Sequence, residues 1–464
     1  MDDSAIITDF MHAMQPCAPP TSPHLPVLLG QGSLQSAFAV TPLAVAAIGT
    51  AAQALADYVD ASFGRRPDVA VDRRLASLWF GTSLRPQGWR LPDVRDPITG
   101  DYRTRDGWLR IHANAPHHRT AAIAVLGCAP DHQAVANAVA HWDAQALEDA
   151  LVQAHACAAA MHSRTSWAEH PQGKAVAAEP VFRCSRHERD AGLRHNGTSQ
   201  RRTLASPGRP LAGLRVLDLT RVLAGPVSTR FLAGYGATVL RIDPPWWTEP
   251  GMVPEVTLGK RCAELDLRDG QQLELLRSLL AEADVMIHGY RPDALARLGL
   301  GERERQAIRP GLVDVCLDAY GWTGPWQSRR GFDSLVQLSN GIAHAGMEYF
   351  NKDIPTPLPV QALDQATGYL MAAAALQGLT NRLHDGHGTT MQLSLACTGE
   401  LLASQQAIRT SALTPETDAD LAPAIEMTSW GPAQRLVPPC WIEGIPMHWD
   451  VPASALREST PQWP

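Results

Sequence analysis

Asp364 is the residue of this chain whose position is most suggestive of chemistry. It lies in the run VQALDQATGY, just ahead of an Ala- and Leu-rich segment, residues 370–379, that predicts a helix. The first N–H groups of a helix have no partner within the helix, and the helix dipole is positive at that end. These groups favour an ionised carboxylate and can stabilise an oxyanion beside it. Taken alone, however, an aspartate at a helix start is more often an N-cap than a nucleophile.

Strands and helices alternate between residue 211 and Asp364. The predicted strands are nearly continuous runs of Val, Leu and Ile, which are typical of a parallel sheet covered by helices on both faces. They span residues 214–219, 238–242, 285–288 and 312–317. The predicted fold class is therefore α/β, with a Rossmann-like doubly wound domain that binds its ligand at the carboxyl ends of the strands. The loop after the first strand, TRVLAGP, is not the glycine-rich dinucleotide fingerprint, so nicotinamide and flavin are not favoured.

The remaining sequence divides into three regions. Residues 1–24 contain four prolines and predict a tail, while residues 25–185 predict a smaller α+β domain. Residues 186–210 are basic, polar and rich in Gly, Ser and Pro, which is typical of a linker. The Rossmann-like domain occupies residues 211–464.

A weak internal repeat connects the two folded regions. Helix 42–58, a Gly-containing turn and strand 69–71 follow the same order as helix 370–383, a second such turn and strand 391–395. In the first copy, Val40-Thr41-Pro42 stands where the second copy has Asp364. The first copy therefore carries no carboxylate.

Composition excludes several classes of function. The 464 residues have a net charge of −7 and no Lys/Arg-rich block, so nucleic acid is not an expected partner. Eight scattered cysteines without a C-x-x-C pair indicate reduced thiols, and no Cys or carboxylate completes a metal site with the histidines at 112, 117 and 118. Without an apolar N-terminal run or a long apolar stretch, neither a signal peptide nor a membrane span is expected. We therefore expect a cytoplasmic protein.

Several longer motifs occur in a specific order around these strands. They are LAGLRVLDLTRVLAGP (211–226), GATVLRID (236–243), GKRCAELDL (259–267), ADVMIHGYRPDALARLG (283–299), AYGWTGP (319–325) and GFDSLVQ (331–337). In these motifs the chain resembles the class III CoA-transferase family, of the formyl-CoA transferase and carnitine CoA-transferase type. YRTRDGWLRIHA (102–113) and WAEHPQG (167–173) are similar to the small domain of that family. In most members this domain follows the nucleophile, so the domain order here is rearranged, and it resembles either a circular permutation or a chain derived from a fused pair.

The resemblance implies a function for Asp364. In the family, the aspartate at this position attacks an acyl-CoA thioester to give a mixed anhydride, and then becomes an aspartyl-CoA thioester that passes CoA to an acceptor acid. The expected substrates are an acyl-CoA and a small carboxylic acid, with no permanently bound cofactor and no metal. By matched position, seven residues are expected to contact CoA: Val222, Leu223, Ala224, Leu265, Arg268, Arg297 and Arg330. The family also implies a homodimer, of interlocked ring-shaped subunits.

Two alternatives remain. Acyl-CoA racemases and epimerases share this fold but need a His–acid pair to move the α-proton, and their G-H-D is here Gly331-Phe332-Asp333. Because Phe cannot carry a proton, racemisation is less favoured. A non-catalytic acyl-CoA-binding protein is the other alternative, against which the presence of Asp364 argues weakly.

Overall fold

The computed structural model describes residues 3–15, 24–92, 95–187, 204–291, 293–408 and 411–464. Its strands are β1 (Val27–Leu29), β2 (Val69–Asp72), β3 (Leu84–Pro86), β4 (Gly100–Arg103), β5 (Trp108–Ile111), β6 (Ala158–Ala160), β7 (Arg183–His187), β8 (Arg215–Leu219), β9 (Thr238–Asp243), β10 (Lys260–Glu264), β11 (Val285–His288), β12 (Val313–Asp318), β13 (Gly388–Ser394), β14 (Glu426–Thr428), β15 (Gly431–Arg435) and β16 (Cys440–Ile442). They form one seven-stranded sheet and three sheets of three strands.

The seven-stranded sheet confirms the predicted α/β fold. Its strand order is β10-β9-β8-β11-β12-β13-β7, with β8 to β13 parallel and β7 antiparallel at one edge. Counted from β8, the parallel strands follow the order 3-2-1-4-5-6 of a doubly wound sheet. The order reverses between β8 and β11, and a crevice that can bind a ligand is expected at their carboxyl ends.

The helices cover this sheet and link it to the smaller sheets. They are α1 (Ser4–Ala13), α2 (Val40–Phe63), α3 (Arg73–Trp79), α4 (Pro116–Leu126), α5 (His132–Val139), α6 (Ala144–Gln153), α7 (Arg164–Glu169), α8 (Pro171–Ala177), α9 (Ala224–Gly234), α10 (Val253–Val256), α11 (Gly270–Glu282), α12 (Ala294–Arg297), α13 (Glu302–Ile308), α14 (Asp333–Ser339), α15 (Ile342–Phe350), α16 (Ala362–Asp385) and α17 (Leu395–Ala403). The small sheets are β1-β2-β16, β14-β15-β3 and β4-β5-β6.

The chain is ordered in two places where the sequence predicts a tail or a linker. Within the expected tail, α1 buries Ile7 and Phe10 against α2 because its apolar residues recur at helical spacing. Within the expected linker, Arg186 and His187 belong to β7 and pair with β13. Residues 16–23 and 188–203 lie outside the described residues.

Helices α2 and α16 pack along each other in the largest hydrophobic core. No segment was expected from the sequence to be long and apolar enough to cross a membrane. Helix α2 does reach that length and apolar composition, but 94% of its most apolar 18-residue segment is buried inside the protein. Such burial is typical of a core helix, and the many alanines of α2 let α16 approach closely.

The carboxylate of Glu255 joins three distant parts of the chain. It accepts hydrogen bonds from Ser83 Oγ (2.8 Å) and Leu84 N (3.0 Å), and it pairs with the guanidinium groups of Arg230 and Arg435. Burial alone would raise the pKa of Glu255, but the two arginines outweigh that effect and lower it to about 2. Glu255 therefore stabilises the junction of the N-terminal region, the large sheet and the C-terminal segment.

We expect Glu255→Gln to destabilise the protein by about 3–5 kcal/mol, because it leaves the buried Arg230 without its charge partner and removes one of the two carboxylates, Glu255 and Glu426, that pair with Arg435. Denaturant unfolding at pH 7 measures this loss, with Glu264→Gln, a partly exposed glutamate, as the control. Because the folded-state pKa is depressed, the contribution is present above the unfolded pKa and is lost as pH falls toward 2. Equal stabilities of the two variants would contradict the role of Glu255 in stabilising this junction.

Candidate active site

A cavity of about 400 Å³ opens at the carboxyl ends of the strands, where their order reverses. Thr220 and the residues after it line one side, and Gly289 and Tyr290 follow β11 on the other. Asp364 contributes to the wall of the same cavity. The cavity therefore combines the expected ligand crevice with the candidate nucleophile.

Asp364 lies inside helix α16 and not ahead of it. The helix begins at Ala362, eight residues earlier than the sequence predicts, so Asp364 is its third residue and is 7% exposed. Among the described residues, none donates a hydrogen bond to its carboxyl group. The expectation that helix N–H groups hold this carboxylate ionised is therefore wrong.

A second carboxyl group, that of Asp333, fixes the backbone of Asp364. Asp333 Oδ2 accepts the N–H of Asp364 at 3.0 Å, and Oδ1 accepts from the side chain of Gln337. Gln337 Oε1 in turn accepts the N–H of Leu358 at 2.8 Å. This chain of contacts connects α14 to the start of α16 and sets the direction in which Asp364 points.

The two carboxyl groups oppose each other's ionisation. Burial, and then the charge of Asp333, raise the pKa of Asp364 well above its ordinary value. Burial also raises the pKa of Asp333 to about 6, against the opposing effect of its hydrogen bonds. When Asp364 ionises, its carboxylate is basic and poorly solvated, both of which favour nucleophilic attack.

The loop after β8 is held by a buried polar network. Asp218 accepts from Thr220 N (2.9 Å) and Thr229 Oγ1 (2.6 Å), and it pairs with Lys260 Nζ at 3.0 Å. The same ammonium group donates to the carbonyl of Pro226 at 2.9 Å. Both ends of the loop are thereby tied to one buried ion pair.

Val222 lies in the middle of that loop in a backbone conformation rare for a branched residue, with φ of +65°. Its N–H donates to Glu249 Oε2 at 2.7 Å, and Trp247 Nε1 donates to the same oxygen at 2.9 Å. Such a conformation costs roughly 1–3 kcal/mol and persists where the surroundings enforce it. Val222, Leu223 and Ala224, three of the predicted CoA contacts, all line the cavity.

Three arginines, Arg221, Arg291 and Arg330, give the cavity a positive wall. The guanidinium group of Arg221 lies over Trp247 (4.8 Å) and donates to Tyr290 Oη at 3.1 Å. Within the described part of the chain, no carboxylate forms an ion pair with any of the three. Arg330 was predicted as a CoA contact from its matched position. Arg221 and Arg291 were missed, because the sequence of a motif does not show which way a single arginine side chain points.

The other predicted CoA contacts lie outside the cavity wall. Leu265 is packed in the hydrophobic cluster under α11. The side chains of Arg268 and Arg297 are 72% and 73% exposed and pair with neighbouring aspartates. Arg268 also stacks on the cavity residue Trp246 at 3.8 Å, so it lies near the cavity mouth.

The N-terminal region supplies the opposite wall through His117 and His118 at the start of α4. His118 is buried, and its Nε2 lies 3.5 Å from Cys157 Sγ. Burial first, and then nearby positive charge, lower the pKa of His118 to about 3. Phe332 stacks on His112 at 3.8 Å and contacts His118 edge-on. The sequence alone favoured surface or packing roles for these histidines.

One buried trio, His288, Asp314 and Cys316, has ligand-type atoms within 4.8 Å of one another. His288 Nε2 lies 2.9 Å from Cys316 Sγ, and Asp314 pairs with Arg305. The histidine and the thiol are as close as hydrogen-bonding partners, and the carboxylate is already neutralised. The three side chains are therefore explained as partners of one another and of Arg305 within the protein core.

Comparison with known proteins gives a consistent set of matches. Residues 211–427 match the family described as CoA-transferase family III. The chain is 34% identical over 197 residues to acetyl-coenzyme A transferase nodX of Hypoxylon pulicicidum, covering 41% of this chain and 33% of that protein. It is 31% identical over 245 residues to succinyl-CoA:glutarate CoA-transferase of Mus musculus, covering 50% and 53%. The chain thus spans between a third and about half of these relatives.

A solved structure of Rv3272 from Mycobacterium tuberculosis is also similar. It shares 30% identity, with a TM-score of 0.39, over 42% of this chain and 58% of that one.

We expect Asp364→Asn to be more stable than the wild-type protein at pH 8, by about 1–2 kcal/mol, as for the removal of other active-site strain. A raised folded-state pKa gives stability that is present below the unfolded pKa and is lost as pH rises through the folded pKa. The difference should therefore shrink toward pH 4. Thermal unfolding across this pH range measures it, with exposed Asp353→Asn as control. A variant less stable than wild type at pH 8 would refute it.

Proposed function

We propose, because residues 211–427 match CoA-transferase family III, that this protein transfers coenzyme A from an acyl-CoA to a carboxylic acid. The observation that carries the proposal is the buried carboxyl of Asp364 in the same cavity as Arg221, Arg291 and Arg330, which have no carboxylate partner among the residues that the structure describes. The arginines supply charge for the phosphates of CoA, and the carboxyl supplies a nucleophile for its thioester.

The first half of the reaction loads the enzyme. The ionised Asp364 attacks the thioester carbonyl carbon, the C–S bond breaks, and CoA leaves as a thiolate, which gives a mixed anhydride. The thiolate then attacks the carboxyl carbon of Asp364 and releases the donor acid as its carboxylate. The product is a thioester between Asp364 and CoA.

The second half repeats these steps in reverse with the acceptor. The acceptor carboxylate attacks the aspartyl thioester and expels the thiolate, which gives a second anhydride. The thiolate then attacks the acceptor's carbonyl carbon and frees the carboxylate of Asp364. Only a carboxyl group can form both intermediates, and both hydrolyse in water, so a side chain that is 7% exposed suits the task.

The binding of CoA follows from the walls of the cavity. The network around Asp218 and Lys260 fixes the loop of Val222, Leu223 and Ala224, along which the pantetheine arm can lie. Arg221, Arg291 and Arg330 face the diphosphate and the 3′-phosphate, and Trp246 offers a flat surface for the adenine. Acyl-CoA and a small carboxylic acid are thus the proposed partners, with CoA as substrate rather than cofactor.

Racemisation is the less favoured alternative. It needs two groups that exchange a proton with the substrate, and the cavity histidines His117 and His118 could accompany Asp364. Burial lowers the pKa of His117 and makes it a weaker base. With a pKa of about 3, His118 is too weak a base to remove an α-proton efficiently. The neighbouring Phe332 carries no proton.

We expect Asp364→Asn to abolish CoA transfer, since an amide cannot form the anhydride, while CoA still binds. The wild-type protein incubated with acyl-CoA and hydroxylamine should yield a hydroxamate at residue 364, located by peptide mass mapping. Asp353→Asn, on an exposed surface, should transfer CoA and be trapped like the wild type. Transfer by Asp364→Asn within tenfold of the wild type would refute the role of this residue.

We expect Arg221→Ala and Arg291→Ala each to raise the KM for acyl-CoA about 10- to 100-fold, as for the loss of a charge-assisted bond worth about 1.5–3 kcal/mol. The KM for the acceptor acid should change little. Arg297→Ala is the matched control because its exposed ion pair contributes little. If Arg297→Ala raises the KM for acyl-CoA as much as Arg221→Ala does, then the motif-based prediction that Arg297 contacts CoA is correct. The cavity arginines are then not the phosphate site.

A further inference from the structure

We propose that this chain consists of two copies of one structural unit that exchange strands, and that each chain therefore completes its own active site without a partner subunit. The inference rests on the proposed function only for the identity of the site. The two copies are recognised by backbone geometry and strand pairing, which do not depend on the reaction.

The first observation is the equivalence of α2 and α16. Each has 24 residues and ends at a glycine in the left-handed conformation, Gly64 (φ 73°) and Gly386 (φ 76°). The residues before them, Ala39 and Gln361, have φ and ψ of −76° and 61° and of −75° and 65°. In both, the first helical N–H donates to the carbonyl two residues earlier at 2.8 Å. The helices thus share length, entry and exit.

The second observation is the equivalence of the elements that follow. Strand β2 follows α2, and β13 follows α16; the last residue of each strand caps the next helix through its side chain. Asp72 accepts from Leu75 N at 2.9 Å, and Ser394 accepts from Cys397 N at 3.1 Å. Each strand also has a parallel neighbour on one side, β1 or β12, and an antiparallel neighbour on the other, β16 or β7.

The third observation is that the antiparallel neighbours are exchanged. Strand β7 belongs to the N-terminal half but pairs with β13 of the C-terminal half. Strand β16 belongs to the C-terminal half but pairs with β2 of the N-terminal half. The halves thus interlock reciprocally, as two subunits of a strand-exchanged dimer would.

Each half carries what the other lacks at the site. The N-terminal half has the β4-β5-β6 sheet and α4 with His117 and His118, but Pro42 stands at the position equivalent to Asp364. The C-terminal half has strands β8 to β12 and Asp364. The cavity at the start of α2 is about 20 Å³, against about 400 Å³ at the start of α16. Of these two helix starts in the described part of the chain, that of α16 therefore has the cavity able to hold an acyl-CoA, and this cavity is built from both halves.

Complementation between two inactive variants tests whether the site forms within one chain. Asp364→Asn removes the nucleophile from the C-terminal half, and His118→Trp fills the cavity from the N-terminal half. The two variants, carrying different tags, are co-expressed and purified together, and their folding is checked by thermal unfolding. We expect no transfer activity above that of the separate variants, because every site would contain one lesion.

Recovery of about a quarter of wild-type activity would overturn the proposal. If halves were exchanged between chains, one of the two sites in each mixed dimer would be intact, and mixed dimers would make up about half of all dimers. If the wild-type chain does not transfer CoA, the proposed function is contradicted instead. A second experiment then tests whether the two halves interlock. That experiment inserts a protease recognition sequence at Ser199. After cleavage the two fragments should elute as one particle, whereas uncleaved protein serves as control, and separation of the fragments would refute the interlock.

Discussion

The packing of α2 on α16 is the contact on which the rest of the molecule depends. Both helices are almost entirely buried, and small residues along them let the two backbones approach closely. Gly368 shows how tight this region is, because a Cβ there would lie 2.4 Å from the carbonyl oxygen of Ala224. Because Gly368 has no side chain, α16 can approach α9 closely at this point. Its small size therefore serves helix packing and not contact with a ligand. Any rotation of α16 about its axis would move Asp364 out of the cavity.

The site carries an electrostatic cost that the surrounding structure offsets. Two carboxyl groups, Asp333 and Asp364, are buried next to each other, and Val222 is held in an unfavourable backbone conformation. Against them stand the buried ion pair of Asp218 with Lys260 and the junction at Glu255. Replacing one member of such a pair leaves an unpaired buried charge, so these networks hold the loop and the helix start in one geometry. Rigid positioning of this kind is what the proposed anhydride intermediate would require.

The sequence predicted most of the strands of the large sheet, and it singled out Asp364 as the candidate nucleophile. Strands such as Val285–His288 are buried on both faces and read as continuous apolar runs. Lys260–Glu264 was missed as a strand because it alternates charged and small residues, with Lys260 buried only through its pair with Asp218. Alanine favours helices, so the alanine-rich sequence predicts one helix over residues 144–159, but the helix ends at Gln153 and pairing with β5 makes Ala158–Ala160 a strand. Side-chain direction is set by tertiary packing, so Arg221 and Arg291 could not be told from Arg297.

The domain order that is puzzling in the sequence has a simple physical meaning in the structure. A site is defined by which surfaces meet, and hydrogen-bonded strand pairs do not depend on the order in which the chain visits them. Because β7 pairs with β13, the chain leaves the small N-terminal sheet, enters the large sheet at its β7 edge, continues at β8 and still brings His118 into the same cavity as Asp364. The return of β16 to β2 ties the C-terminal end into the first half. Separating the halves would break both edge pairings and uncover α2 and α16 together. The cover over the cavity and the stability of the core therefore come from the same interface.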